Sequence, residues 1–344
     1  MSQRVLVTGH QGYLGTVMMP MLIAAGHDVV GLDNGYFADC VLGPAPADPP
    51  SLNVDLRDVF VEQLRGFDAV IHLAALSDDS LGALAPEITF GINYHASVRL
   101  ARLAKAAGVS RFLYASTCSV YGASGDGLVD ENAALHPITP YAVSKVRVED
   151  DVAAMADSGF APVFLRNATA FGFSPRLRTD IVLNNLVGHA VLSGVVRVLS
   201  GGTRWRPLVH AKDIARAFAV CIEAPARSIS GRAFNIGTEA NNLAVAEIAN
   251  VVCDTVAGSE LLITGESGVV PRSYRVDFSR ARAELGYEAS WSIADGAAEL
   301  HAAYTSYGLT RADFDTKFSR LPRLEALGAR GAIDETMRRV NAAV

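Results

Sequence analysis

Five short apolar runs set the strongest limit on how this chain can fold. RVLVTG (4–9), DVVGLD (28–33), DAVIHLAA (68–75), RFLYAST (111–117) and PVFLRN (162–167) are continuously apolar rather than alternating. A strand of that kind is buried on both faces. Helical stretches at about 13–25, 86–107 and 139–156 separate several of the runs. Such alternation gives a parallel sheet covered by helices on both faces, because parallel neighbours need a crossover connection. The expected fold class is α/β, a doubly wound parallel sheet. After residue 167 the pattern loosens into helices near 180–193, 211–224, 243–257 and 294–306, with short strands RVLS (197–200) and AFNIG (233–237). It predicts a smaller C-terminal α/β substrate domain interwoven with the sheet. Residues 1–167 with returning segments at about 207–237 form the first domain, 168–206 and 238–309 the second, and 310–344 a C-terminal helical extension. GPAPADPP (43–50) reads as a surface loop, and AIDETMRRVNAAV as an amphipathic helical stretch whose place, on the body or on a second subunit, stays open.

The first of these runs ends in a turn with a chemical meaning. TGHQGYLG (8–15) sets Gly9, Gly12 and Gly15 three apart, after a strand and at the opening of a helix. Gly9 permits a tight turn, Gly12 lets backbone approach a pyrophosphate, and Gly15 allows close helix–strand packing. The helix N-terminus offers free N–H groups and the positive end of its dipole to an anion. This is the signature of a Rossmann sheet. Asp33 ends the second strand, where a carboxylate bonds both ribose hydroxyls of NAD and repels the additional phosphate of NADP; no arginine follows it directly. NAD is therefore the expected cofactor. NVDLRD (53–58) places Asp55 and Leu56 at the adenine, or makes only a strand end and helix cap.

Composition narrows the partners. The chain has 344 residues, 50% of them hydrophobic, with a net charge of −6, so it lacks the basic excess that nucleic-acid binding needs. Its four cysteines, Cys40, Cys118, Cys221 and Cys253, are far apart and suggest neither a metal site nor a disulfide framework. No apolar run approaches the roughly 18 residues of a membrane span, and MSQRVLVTG reads as a strand rather than a signal peptide. A cytoplasmic protein without membrane contacts is expected.

YAVSK (141–145) puts Tyr141 and Lys145 four apart on one helix face. A phenol of pKa about 10 is a poor base at neutral pH, and bringing it down three units takes about 4 kcal/mol. A nearby ammonium and a positive nicotinamide ring both favour the phenolate. It then accepts a proton from a substrate hydroxyl while the carbon gives up hydride.

Taken in order, the glycine turn, Asp33, HLAA (72–75), Asn93, STCSVYG (116–122), YAVSK, LRNATAFG (165–172) and RPLVHAKDIARA (206–217) resemble the extended short-chain dehydrogenases/reductases. Over roughly residues 4–306 the chain looks most like their NAD-dependent nucleotide-sugar epimerase/dehydratase group. The resemblance implies catalytic roles for Thr117, whose hydroxyl polarises the reacting sugar oxygen, Tyr141 as base, and Lys145 as its tuner and ribose ligand. It implies cofactor contacts from Gly9, Gly12, Tyr13, Leu14, Gly15, Asp33, Asn34, Asp55, Leu56, Leu73, Ala74, Ala75, Asn93, Ser116, Tyr141 and Lys145. It gives substrate contacts to Thr117, Ser119, Asn167, Thr169, Asn184, Arg206 and Arg272, with Arg176, Arg178, Arg204 and Arg275 as further phosphate candidates, and it implies a homodimer built from helices at about 86–107 and 139–156.

The family's 4,6-dehydratases read TDEVYG where this chain reads TCSVYG, so Cys118 and Ser119 replace their acid and base carboxylates. Its 3,5-epimerases carry a cysteine two positions before the tyrosine; here Cys118 stands three before, and a small buried role is expected of it. Tyr121 is expected to pack at the strand end. The usual RYFN reads RNAT (166–169), a departure at the sugar. The function expected is an NAD-dependent epimerase of a nucleotide sugar, acting through a 4-keto intermediate. A net dehydrogenase or reductase of a sugar or related alcohol is the alternative, with a non-catalytic dinucleotide-binding protein behind it.

Overall fold

The computed structural model describes residues 2–77, 82, 85–266 and 273–340, with the backbone alone at 124–126. Seven parallel strands form its central sheet: β1 (Arg4–Thr8), β2 (Asp28–Asp33), β3 (Ser51–Asn53), β4 (Ala69–His72), β5 (Arg111–Thr117), and the strands Ala161–Asn167 and Arg232–Ile236. Across the sheet the order is Arg232–Ile236, Ala161–Asn167, β5, β4, β1, β2, β3. Val5 of β1 pairs with Val29 on one side and Ala69 on the other. The chain steps outward from β1 to β3, then crosses back to β4. That reversal opens a crevice at the carboxyl ends of β1 and β4.

Continuous apolarity has the expected cause, since alternate residues of one strand point to opposite faces. Val5, Val7, Ile71 and Leu113 pack with Met18, Leu22, Phe218 and Ile222 on one face. Leu6, Val70 and Phe112 pack with Leu100, Ala101 and Ala104 on the other. The long helical region is continuous but not uniform: Pro86–Thr89 and Ser97–Ala106 are α-helical, while Phe90–Ala96 between them is a π-helix.

A second core lies beyond the sheet. Helices Val182–Ser193, Val245–Thr255 and Ile293–Ser306 bury Leu186, Val187, Ile248, Val252, Ala297 and Leu300 against one another. Strands Thr169–Phe171, Trp205–His210 and Asn242–Ala244 form a three-stranded sheet between that core and the crevice. Trp205–His210 escaped the sequence reading because Arg206 and Pro207 interrupt its apolar run.

The chain's end departs from expectation. Arg320–Ala329 is helical, but the AIDETMRRV stretch after it is not. Gly331, at φ +67°, stands just past the helix end, and Ile333 bridges Arg339 antiparallel. The Asp334 carboxylate accepts N–H bonds from Thr336 at 2.9 Å and Arg338 at 2.8 Å, which competes with helix formation. The segment docks on its own body: Leu324, Leu327 and Ile333 cluster with Tyr36 and Leu76.

Candidate active site

The crevice at the strand ends holds a cleft of about 550 Å³. One wall is the glycine turn. The Gly12 N–H donates to the Gly9 carbonyl at 3.0 Å, and Gly9 has φ +73°. A Cβ at Gly9 would lie 2.8 Å from the Ala74 nitrogen, and one at Gly15 2.4 Å from the Gly9 oxygen. Both positions therefore exclude a side chain. Helix α1 (Tyr13–Ala24) opens at Gly12 with no side-chain cap, which leaves its N-terminal donors to a ligand. Asp33 is held at the far side by N–H bonds from Gln11 at 3.0 Å and Gly35 at 2.8 Å. Asn34, Asp55, Leu56, Leu73, Ala74 and Ala75 complete this half of the wall. The bare helix end, the Cβ-free turn and the carboxylate at the end of β2 fit a dinucleotide.

Two residues expected at the cofactor have other duties. Asn93 is fully buried and does not line the cleft; its amide accepts from the Leu76 N–H at 2.8 Å and donates to the Leu76 carbonyl at 2.9 Å. It holds the cleft's edge from behind. Ser116 lines the cleft, but its hydroxyl turns to Glu149 beneath the sheet end. Asp55 is at the cleft as expected, with its carboxylate committed to Arg57. Burial opposes its ionisation, and Arg57 outweighs that to hold its pKa below the usual range.

The opposite wall carries the chemistry. Thr117 ends β5 and accepts the Ser119 N–H at 3.1 Å, so one short turn presents both residues to the cleft. Tyr141 and Lys145 project from the first turns of the Pro140–Ala153 helix. That helix starts here because Thr139 caps the Ala142 N–H and Pro140 needs no N–H partner at N1. Lys145 Nζ donates to the Ala115 carbonyl at 2.7 Å and stands 5.5 Å from the Tyr141 ring centroid. Burial pushes its pKa down to about 7, against the opposing pull of Glu149. Deeper still, Glu149 pairs with Arg166 at 2.6 Å, and Arg166 donates to the Tyr121 hydroxyl at 3.1 Å. Tyr121 is fully buried. So is Cys118, whose thiol donates to the Arg166 carbonyl at 3.0 Å and is pushed well above its usual pKa by burial.

On the substrate side, Asn167, Thr169 and Arg206 line the cleft, joined by Arg178, Asp180 and Tyr274. Asn184 does not: its amide bonds Gly172 and the Arg178 carbonyl, bracing the 172–180 loop. Arg272 lies outside the described residues. Arg176 donates to Thr16 and the Ala38 carbonyl, and Arg178 forms a two-pronged pair with Asp180. Tyr36, Phe37, Arg320 and Leu324 also reach the wall. No motif marked them, and the last two come from the C-terminal extension.

Comparison with known proteins agrees with this geometry. The model of the NAD dependent epimerase/dehydratase family matches residues 5–237. The chain is 27% identical to the UDP-glucose 4-epimerase of Corynebacterium glutamicum over 301 residues, 83% of this chain and 90% of that one. It is 30% identical to the dTDP-glucose 4,6-dehydratase of an Actinoplanes species over 319 residues, 88% and 97% of the two chains. The solved structure of MoeE5 in complex with UDP-glucuronic acid and NAD superposes with a TM-score of 0.77 at 28% identity, covering 88% of this chain and 99% of that one.

Proposed function

The chain belongs to the NAD dependent epimerase/dehydratase family, and on that premise we propose that it is an epimerase of a nucleotide sugar, inverting one carbon through a transient 4-ketone. NAD, when bound in the cleft, supplies the hydride acceptor and donor. The chain's own part is the proton and the fit. Tyr141 takes the proton of the sugar hydroxyl and returns it. Lys145, 5.5 Å from the Tyr141 ring, favours the phenolate through its charge. The Thr117 hydroxyl both donates and accepts, which suits an oxygen that alternates between alcohol and ketone. Arg206 and Thr169 stand where the substrate would lie.

The observation that carries the choice of reaction is the turn after β5. Elimination of water across two carbons needs an acid and a base beside the tyrosine. Here Cys118 is buried and bonded away from the cleft, and Ser119 is a hydroxyl. Among the described residues the carboxylates in the wall are Asp33, Asp55 and Asp180. Two of them stand at the ends of β2 and β3, three and four strands from β5, and the third is paired with Arg178. This wall supports oxidation and re-reduction at a single carbon.

The test uses the purified protein with catalytic NAD+ and UDP-, dTDP-, GDP- and CDP-hexoses in D2O, followed by proton NMR and by absorbance of NADH. A new epimer with neither NADH build-up nor deuterium in the sugar is the expected result. NADH accumulating with an oxidised product would replace this reading by a net dehydrogenase, and deuterium uptake would mean enolisation.

A further inference from the structure

The C-terminal extension brings an arginine into the cleft, within electrostatic reach of Asp33 on one wall and of Asp180 and Arg178 on the other. Arg320 is the first residue of the Arg320–Ala329 helix and lines the cleft wall, yet only 5% of its surface is exposed. Its guanidinium lies over the Phe37 ring, 3.9 Å from the centroid, on the loop that follows Asp33 and Asn34. Its backbone N–H donates to Asp180 at 3.4 Å. Among the described residues its Nη1 is buried with no hydrogen-bond partner. The carboxylates within electrostatic reach are Asp180, bonded by Arg178 and by the Arg320 backbone N–H, and Asp33, bonded by the Gln11 and Gly35 N–H groups. Burial lowers its pKa to about 10, so it remains a cation at neutral pH. A buried, unpaired donor of that charge is costly unless an anion completes it.

The segment carrying Arg320 is tied to the same end of the cleft. The Met337 carbonyl accepts from the Tyr36 hydroxyl and from Arg57. Arg339 donates to the Asn34 and Gly35 carbonyls, and Arg323 pairs with Asp39. Every one of these contacts falls on the loop between β2 and β3 or just beyond it, beside the glycine turn.

We propose that Arg320 is a ligand of the NAD diphosphate, so that the C-terminal extension straps the cofactor onto the glycine turn from the side opposite helix α1. The inference rests on the cleft binding a dinucleotide and is independent of which carbon the enzyme inverts. Arg320→Met keeps the apolar stem on Phe37 and removes the charge; Arg320→Lys keeps the charge and removes the fork. Affinities of the wild type and both variants for NAD+, ADP-ribose, adenosine and UDP are measured by calorimetry. Arg320→Met is expected to weaken NAD+ and ADP-ribose by about ten- to a hundredfold and leave adenosine and UDP unchanged, with Arg320→Lys in between. A loss confined to UDP would assign Arg320 to the substrate's diphosphate, and an equal loss for adenosine would make it a wall residue only; either overturns the proposal. Should Arg320→Met not fold, hydrogen exchange on the wild type decides: ADP-ribose, but not adenosine, should protect the peptides of 320–329. Absence of that protection would also overturn it. Failure of the wild type to bind ADP-ribose at all would instead refute the dinucleotide reading of the cleft.

Discussion

Tyr141 and Lys145 face each other, with Lys145 Nζ 5.5 Å from the Tyr141 ring centroid. Burial lowers the Lys145 pKa to about 7, so the site sheds a proton close to neutrality. Two arrangements have that proton count: amine with phenol, or ammonium with phenolate. Only the second contains a base. Below about pH 7 both groups are protonated and no base exists, so kcat/KM should rise with pH through about 7 and then level off. In Lys145→Met the rising limb should move toward the phenol's own value of about 10, with activity at pH 7 down by about a hundredfold or more. A limb that stays near 7 in that variant would assign it to another group. Tyr141→Phe should lower turnover by at least about a hundredfold while NAD binding, followed by quenching of protein fluorescence, stays at the wild-type level. Undiminished turnover would remove Tyr141 from the proton path.

At the scale of elements, the turn between β1 and α1 is the most demanding piece of the fold. A methyl at Gly15 would lie 2.4 Å from the Gly9 oxygen and 2.6 Å from the His10 oxygen, both backbone atoms that have nowhere to retreat. At Gly12 the nearest atom is the Gly9 oxygen at 3.1 Å. Gly15→Ala should therefore destabilise the chain by about 1–3 kcal/mol, lower its thermal midpoint and weaken NAD binding. Gly12→Ala should cost less stability. Equal melting temperatures for the two variants would contradict the steric account. The Pro140–Ala153 helix shows the complementary economy: its Thr139 cap and Pro140 start place Tyr141 in the first turn, and Glu149, two turns on, anchors the helix to Arg166 in the sheet.

Over the whole molecule, burial of ionisable groups sets a pH dependence. His72 lies inside the sheet, bonded to Thr8 at 2.6 Å and Ser97 at 2.8 Å, and burial, aided by the Lys145 charge, pushes its pKa down to about 3. The unfolded chain takes up this proton near 6.5, so stability is full above that value and falls as pH drops from 6.5 toward 3. Glu299 adds a second window. Burial alone would raise its pKa, but bonds from His210, Lys212 and the Phe173 N–H hold it at about 2. Its stabilisation is present above about 4.5 and is lost as pH falls through about 2. Urea melts should show stability declining below pH 6.5 by up to about 1.4 kcal/mol per pH unit for the His72 proton, with a shallower slope in His72→Asn. Identical slopes would exclude His72 as the source.

What the sequence determined by itself is whatever a few neighbouring residues decide. Apolar runs specify buried parallel strands, three glycines specify the turn that faces an anion, and a four-residue spacing puts Tyr141 and Lys145 on one helix face. Composition and motif order also sufficed for the family and its cofactor. Only the tertiary structure assigned the long-range partners. Asn93 and Asn184 have side chains suited to a ligand, yet each amide is taken up by backbone groups that reach it through the fold. The final stretch looks amphipathic, yet Asp334 and Gly331 turn it back. Arg320 entered the cleft without a motif, because docking of the extension depends on Phe37, Leu76 and Tyr36, which are remote in sequence. Local stereochemistry and burial pattern are written along the chain, whereas the choice of surface on which a segment docks is a competition among the surfaces of the folded molecule.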